Sequence, residues 1–141
     1  MIARFRVATR ASGPRRQVYV HVYDDQQQMA RAHMEARGRE YDPAADIGGG
    51  MATQTQTGFS WPSPDPGPVL VIRLWTGQLT TRTIAHEATH AGAVIYFLDS
   101  MSGWDSRARG ILLGNNEPMA YAVGDITADI IAGLYRLGLL P

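Results

Sequence analysis

The 141-residue sequence contains no cysteine, so it has neither disulfides nor thiolate ligands, and any metal site must be built from histidine, carboxylate and water. Lysine is absent as well: all 13 basic residues are arginine, and 13 acidic residues balance them to a formal net charge of zero. That balance gives no electrostatic footprint for nucleic acid or an anionic membrane surface, and only the pair Arg15–Arg16 interrupts the absence of basic runs. Abundant Ala, Gly and Arg without lysine fits the codon bias of a GC-rich genome and carries no mechanistic weight. Long hydrophobic runs are also missing. The best stretches, Ala93–Leu98 and Ile130–Leu140, are too short or too broken by Gly and Arg to span a bilayer. Met1–Gln17 carries Arg4, Arg6 and Arg10 but no apolar run of the length a secretory signal needs, so a soluble, cytoplasmic protein is expected.

With 45% hydrophobic residues, the chain suffices for one compact domain over residues 1–141 but not for two lobes bracketing a cleft. Any active site must be assembled within one small fold. Val18, Val20 and Val22 alternate with Tyr19, His21 and Tyr23, the period of a half-buried strand, and Asp24 or Asp25 then caps a helix running to about Arg37. Gly48–Gly50 marks a turn before Met51–Gly58, where threonines at 53, 55 and 57 alternate with Gln54 and Gln56. Both faces are polar, which predicts an edge strand or hairpin arm. Prolines at 62, 64, 66 and 68 make a stiff loop, and the apolar run Val69–Leu74, broken only by Arg73, suits a central buried strand. Thr80 and Thr81 are caps for a core helix over Arg82–Leu98. An irregular region, Asp99–Gly114, precedes Asn115–Asn116 and a helix opening at Glu117–Pro118 and continuing through Leu137. The predicted order is β, β, α, β, β, α, α: an α+β fold with a small mixed or antiparallel sheet packed on two of its helices.

Residues 86–90 read His-Glu-Ala-Thr-His, an HExxH motif inside the predicted core helix. Positions four apart place both imidazoles on one helical face, where His86 and His90 can converge on a single zinc ion. Glu87 then sits beside the metal, placed to take a proton from the attacking water and deliver it to a leaving amine. Chance would produce HExxH in roughly a few chains of this length per thousand. The competing reading is a pair of surface histidines, but the apolar neighbours Ile84, Ala85, Ala88, Ala91, Val94 and Ile95 argue for a helix packed in the core.

A catalytic zinc site wants a third protein ligand. The metzincin pattern is excluded, because it needs glycine at position 93 and histidine at 96, which are Ala93 and Tyr96. The acids downstream are Asp99, Asp105, Glu117, Asp125 and Asp129. Glu117 is the best placed, since it opens a helix after a connection long enough to fold that helix back on the first.

On HExxH together with Asn116-Glu117-Pro118-Met119-Ala120-Tyr121, the chain resembles the gluzincins, metallopeptidases whose third ligand is a glutamate in the first turn of a following helix. It also resembles the short stand-alone zincin proteins often carried by phages and prophages, which would place it in a host cytoplasm. The resemblance implies a minimal zincin-like domain, Zn2+ held by His86, His90 and Glu117, and Glu87 as general base, acting on a peptide or protein substrate. It further implies that substrate adds as a strand to the sheet edge, for which Met51–Thr57 is the candidate, the alternative being a solvated hairpin with no role. The chain departs from the thermolysin-like branch at Tyr121, where that branch has an aspartate orienting the first histidine. Asp125 is either the partner of His86 in its place or a surface residue. Tyr121 is either a hydrogen-bond donor to the oxyanion of a tetrahedral intermediate or a core tyrosine. Arg82 is either a substrate-carboxylate anchor or a solvated residue at the helix entry. His33 is expected to face solvent and His21 to share the strand face of Tyr19 and Tyr23. A second functional class keeps the zinc without proteolysis, as a regulatory or host-interaction module, because so short a chain has little wall for substrate pockets. Nucleic-acid binding and membrane association are not expected.

Overall fold

The computed structural model describes residues 1–36, 38–42, 58–60, 67–100 and 117–141. Two strands, β1 (Ala3–Thr9) and β2 (Arg16–Tyr23), form an antiparallel hairpin. Helix α1 (Gln26–Ala36) follows, then β3 (Gly58–Ser60), β4 (Pro68–Trp75), a short 3-10 turn (Thr76–Gln78), α2 (Thr81–Ser100) and α3 (Glu117–Arg136). The sheet order is β1-β2-β4-β3, with β2 and β4 parallel at the centre and an antiparallel strand on each side. The α+β class and the order of elements are those expected from the sequence, and the sheet is mixed.

Local chemistry sets the helix boundaries. Asp25 Oδ1 accepts the Gln28 N–H at 3.0 Å and Thr80 Oγ1 accepts the Thr83 N–H at 3.1 Å, each satisfying a donor that the first turn of a helix leaves open. Helices α1 and α3 end alike. At Gly38 and Gly138 the backbone takes the left-handed conformation (φ +66° and +67°), and the following N–H groups return to the last turn: Arg39 to the Met34 carbonyl at 2.9 Å, Leu139 to that of Leu134 at 3.0 Å.

Alternation along the strands divides the interior. Val18, Val20 and Val22 of β2 and Leu70, Ile72 and Leu74 of β4 join Ile84, Ala88, Ala91 and Ile95 of α2 and Ile126, Ile130 and Leu134 of α3 in one buried cluster. The helical residues recur every three or four positions, so each helix lays a single stripe against the sheet. On the alternate strand positions lie Tyr19, Tyr23, Val71 and Arg73, all buried, and α1 packs against the same two strands. Tyr19 is roofed by arginine, with the guanidinium carbons of Arg4 and Arg6 at 4.1 and 4.9 Å from its ring centre. Burial drives the Arg73 guanidinium below the usual arginine value, opposed by a hydrogen bond with Tyr23.

One expectation changes. His33 does not face solvent: it is buried with Met29 and Ala30 on the inner side of α1. The polar strand expected at Met51–Thr57 lies outside the described residues, and the strand seen at that end of the sheet is Gly58–Ser60. His21 does share the face of Tyr19, with ring centres 5.7 Å apart.

Candidate metal centre

Helix α2 turns Ile84, Ala88, Ala91 and Ile95 into the core, which leaves His86 and His90 on its exposed side, one turn apart. Their Nε2 atoms approach to 3.2 Å, and the rings stand edge to face at 84° with centres 4.8 Å apart. Two nitrogens bound to one tetrahedral zinc at 2.0–2.1 Å would lie about 3.3 Å apart. The imidazole pair thus already has the spacing of one edge of such a site. Glu87, rotated toward the core side, is buried with 3% of its surface exposed. Thr89, between the histidines, spends its hydroxyl on the Ala85 carbonyl at 2.7 Å. Arg82 is exposed at the entry of the helix.

Glu117 is the first residue of α3, and its side chain lies outside those described. Its helix crosses α2 close to the histidine pair. A Cβ at Gly92 would stand 2.6 Å from Val123 Cγ2, 3.3 Å from the Val123 nitrogen and 3.5 Å from the Met119 carbonyl oxygen. The backbone two residues after His90 therefore packs tightly against α3 at Val123, six residues after Glu117. Among the described residues no three His, Asp or Glu side chains converge as a ligand set; they bring together the histidine pair.

Tyr121 is 65% exposed, which removes the core-tyrosine reading. Asp125 is engaged elsewhere: its Oδ2 accepts the Thr9 hydroxyl at 2.7 Å, tying α3 to the end of β1. Asp99 is likewise engaged. Its carboxylate accepts Arg16 Nε at 3.0 Å, a close contact from Arg16 Nη2, and the Ser12 hydroxyl at 2.6 Å. Hydrogen bonding from Arg16 holds Asp99 below the usual carboxylate range, against the opposing effect of burial, and Arg16 is raised in turn. Two of the acids downstream of the motif, Asp99 and Asp125, thus serve the β1–β2 hairpin.

Sequence reasoning missed Gly92 and these two ties. A glycine inside an apolar helical pattern is the signal that flags a close backbone approach. The ties span 116 and 87 residues and leave no local pattern to read.

No protein family, curated protein or solved structure significantly matches the chain. Among the described residues, no helix is long and apolar enough to cross a membrane.

Proposed function

We propose that the chain is a zinc-dependent metallopeptidase in which His86, His90 and Glu117 hold the metal and Glu87 is the general base. The observation that carries this reading is the 3.2 Å approach of the two Nε2 atoms on the exposed face of α2, beside a buried glutamate. The donor set suits zinc: two neutral imidazoles and a carboxylate leave a fourth position open, whereas structural zinc sites close all four. Zinc bound there would lower the pKa of its water toward 7 and polarise the scissile carbonyl.

The chain's own residues supply the remaining steps. Glu87, adjacent in sequence to His86, accepts the proton of the attacking water and passes it to the leaving amine. Its burial keeps the carboxylate out of bulk solvent, where its proton would exchange away from the reaction. Tyr121 extends from α3 into solvent one turn after Glu117, a position from which its hydroxyl can donate to the developing oxyanion. Strand β3 ends the sheet beside β4, and α2 packs against both. A peptide adding to the outer side of β3 would run alongside the helix that carries His86 and His90.

The test is hydrolysis of a denatured, unstructured protein substrate by zinc-loaded protein, compared with Glu87→Gln. Cleavage by wild type that the variant loses while retaining zinc supports the reading. Equal cleavage by both, or none by zinc-loaded wild type across varied substrates, overturns it.

A further inference from the structure

The sheet ends differently on its two sides. One edge is β3, three residues long, whereas the other is β1, seven residues long and paired only with β2. In an antiparallel pair every second residue turns its N–H and C=O away from the neighbouring strand, and among the described residues no backbone group outside the hairpin bonds to β1. The hairpin is also where the neutral chain keeps its positive charge. Arg4, Arg6, Arg10, Arg15 and Arg16 all precede the first acid, Asp24. Asp99 neutralises Arg16. Arg6, Arg10 and Arg15 are exposed, and among the described residues none of the three meets a carboxylate. Arg6 is moreover held in place: it stands opposite Tyr19 across the hairpin, its Nη2 donates to the Tyr19 hydroxyl at 2.7 Å, and its guanidinium carbon lies 4.9 Å from the ring centre.

We propose that the β1 edge receives an extended acidic segment of a partner protein as a fifth strand, with carboxylates facing Arg6 and, at the end of the strand, Arg10. Backbone bonds along the edge supply affinity, and alternate side chains supply selectivity. Charge decides the occupant. A second copy of the chain pairing β1 with β1 would set Arg4 and Arg6 against their own copies on one face, and like charges directly across a sheet repel. An acidic strand turns the same positions into attractive pairs. Arginines serving only to keep the edge soluble would gain nothing from being fixed on a ring, whereas fixing Arg6 on Tyr19 lowers the entropy it loses on pairing. The alternate residues of the incoming strand would lie beside Ala3 and Phe5, both half-buried, so the segment should alternate acidic with apolar side chains. This edge is separated from β3 by the width of the sheet, about 14 Å at the usual strand spacing, so the proposal is independent of the zinc reading.

The test is binding of a fluorescent peptide of alternating valine and glutamate to the full chain at low ionic strength, with chelator present so that no metal-dependent cleavage intervenes. Valine–glutamine and valine–arginine peptides and a single-stranded oligonucleotide are the competitors. Two opposite-charge pairs should make the glutamate peptide bind about twofold to thirtyfold more tightly than the glutamine peptide, and the advantage should shrink as salt is raised. Arg6→Gln and Arg10→Gln should each cost up to about fivefold. Arg10→Gln touches no described side chain, so it keeps the test decisive if Arg6→Gln disturbs the hairpin. Hydrogen exchange should show new protection in Ala3–Thr9 when the peptide binds. Equal or absent binding of the glutamate and glutamine peptides, wild-type affinity in both variants, or protection at Gly58–Ser60 instead of β1 overturns the proposal. So does preferential binding of the oligonucleotide, or self-association of the chain through β1.

Discussion

Gly92→Ala tests the close crossing of α2 and α3 beside the histidine pair. In an isolated helix the change should help, because alanine is favoured over glycine by about 1 kcal/mol in a helix interior. Here the new methyl would meet Val123 Cγ2 at 2.6 Å and the Val123 nitrogen at 3.3 Å. The first contact cannot be relieved by an easy rotation, since valine in a helix has one strongly preferred rotamer. The second is with backbone, so α3 itself must retreat by a few tenths of an ångström. Overpacking of this kind costs about 1–3 kcal/mol, which outweighs the propensity gain and leaves a net loss of up to about 2 kcal/mol. Gly124→Ala, one position along α3, is the matched control. A Cβ there meets nothing within 4 Å, so the variant should gain about 0.5–1 kcal/mol. Urea unfolding of the metal-free proteins, compared at constant m-value, separates the two signs. If Gly92→Ala is stabilised as much as Gly124→Ala, the helices do not touch at Gly92.

Other outcomes follow from single contacts. Leu134→Ala, in the fully buried stripe of α3, should cost about 2–5 kcal/mol by chemical denaturation. Asp25→Ala removes the acceptor for the Gln28 N–H and should cost about 1 kcal/mol, with loss confined to the first turn of α1 by hydrogen exchange. Asp99 binds fewer protons folded than unfolded, because its folded value is depressed. Its contribution is therefore complete above the unfolded carboxylate value of about 3.9 and is lost as pH falls through the lower folded value. Asp99→Asn should accordingly flatten acid unfolding below about pH 4 relative to wild type. Zinc at a hundredfold excess over its dissociation constant should stabilise the protein by about 2.7 kcal/mol, and chelation should reverse the shift in melting temperature.

Periodicity made the elements legible where one physical force dominated. The valines of β2 and the apolar run of β4 read as sheet interior, and Asp25 and Thr80 announced helix starts through capping chemistry. HExxH was readable because helix geometry alone brings residues four apart together, and the 3.2 Å pair follows from that spacing. His33 was misread for an instructive reason. The first turn of α1 is Gln26–Gln28, so its polar composition conceals that Met29, Ala30 and His33 share an inner face. Asp125 was weighed as the partner of His86, and Asp99 stood among the acids downstream of the motif. Their actual partners, Thr9 and the pair Ser12 and Arg16, are set by how the hairpin folds over the helices, which no local pattern encodes.

The central claim is a zinc site made by His86, His90 and Glu117, and the most direct measurement is the metal-to-protein ratio after zinc loading and dialysis. The account predicts one zinc per chain in wild type and Glu87→Gln, with loss of retained zinc in His90→Ala and in Glu117→Ala. No retained zinc in wild type, or a full complement in His90→Ala, would contradict it.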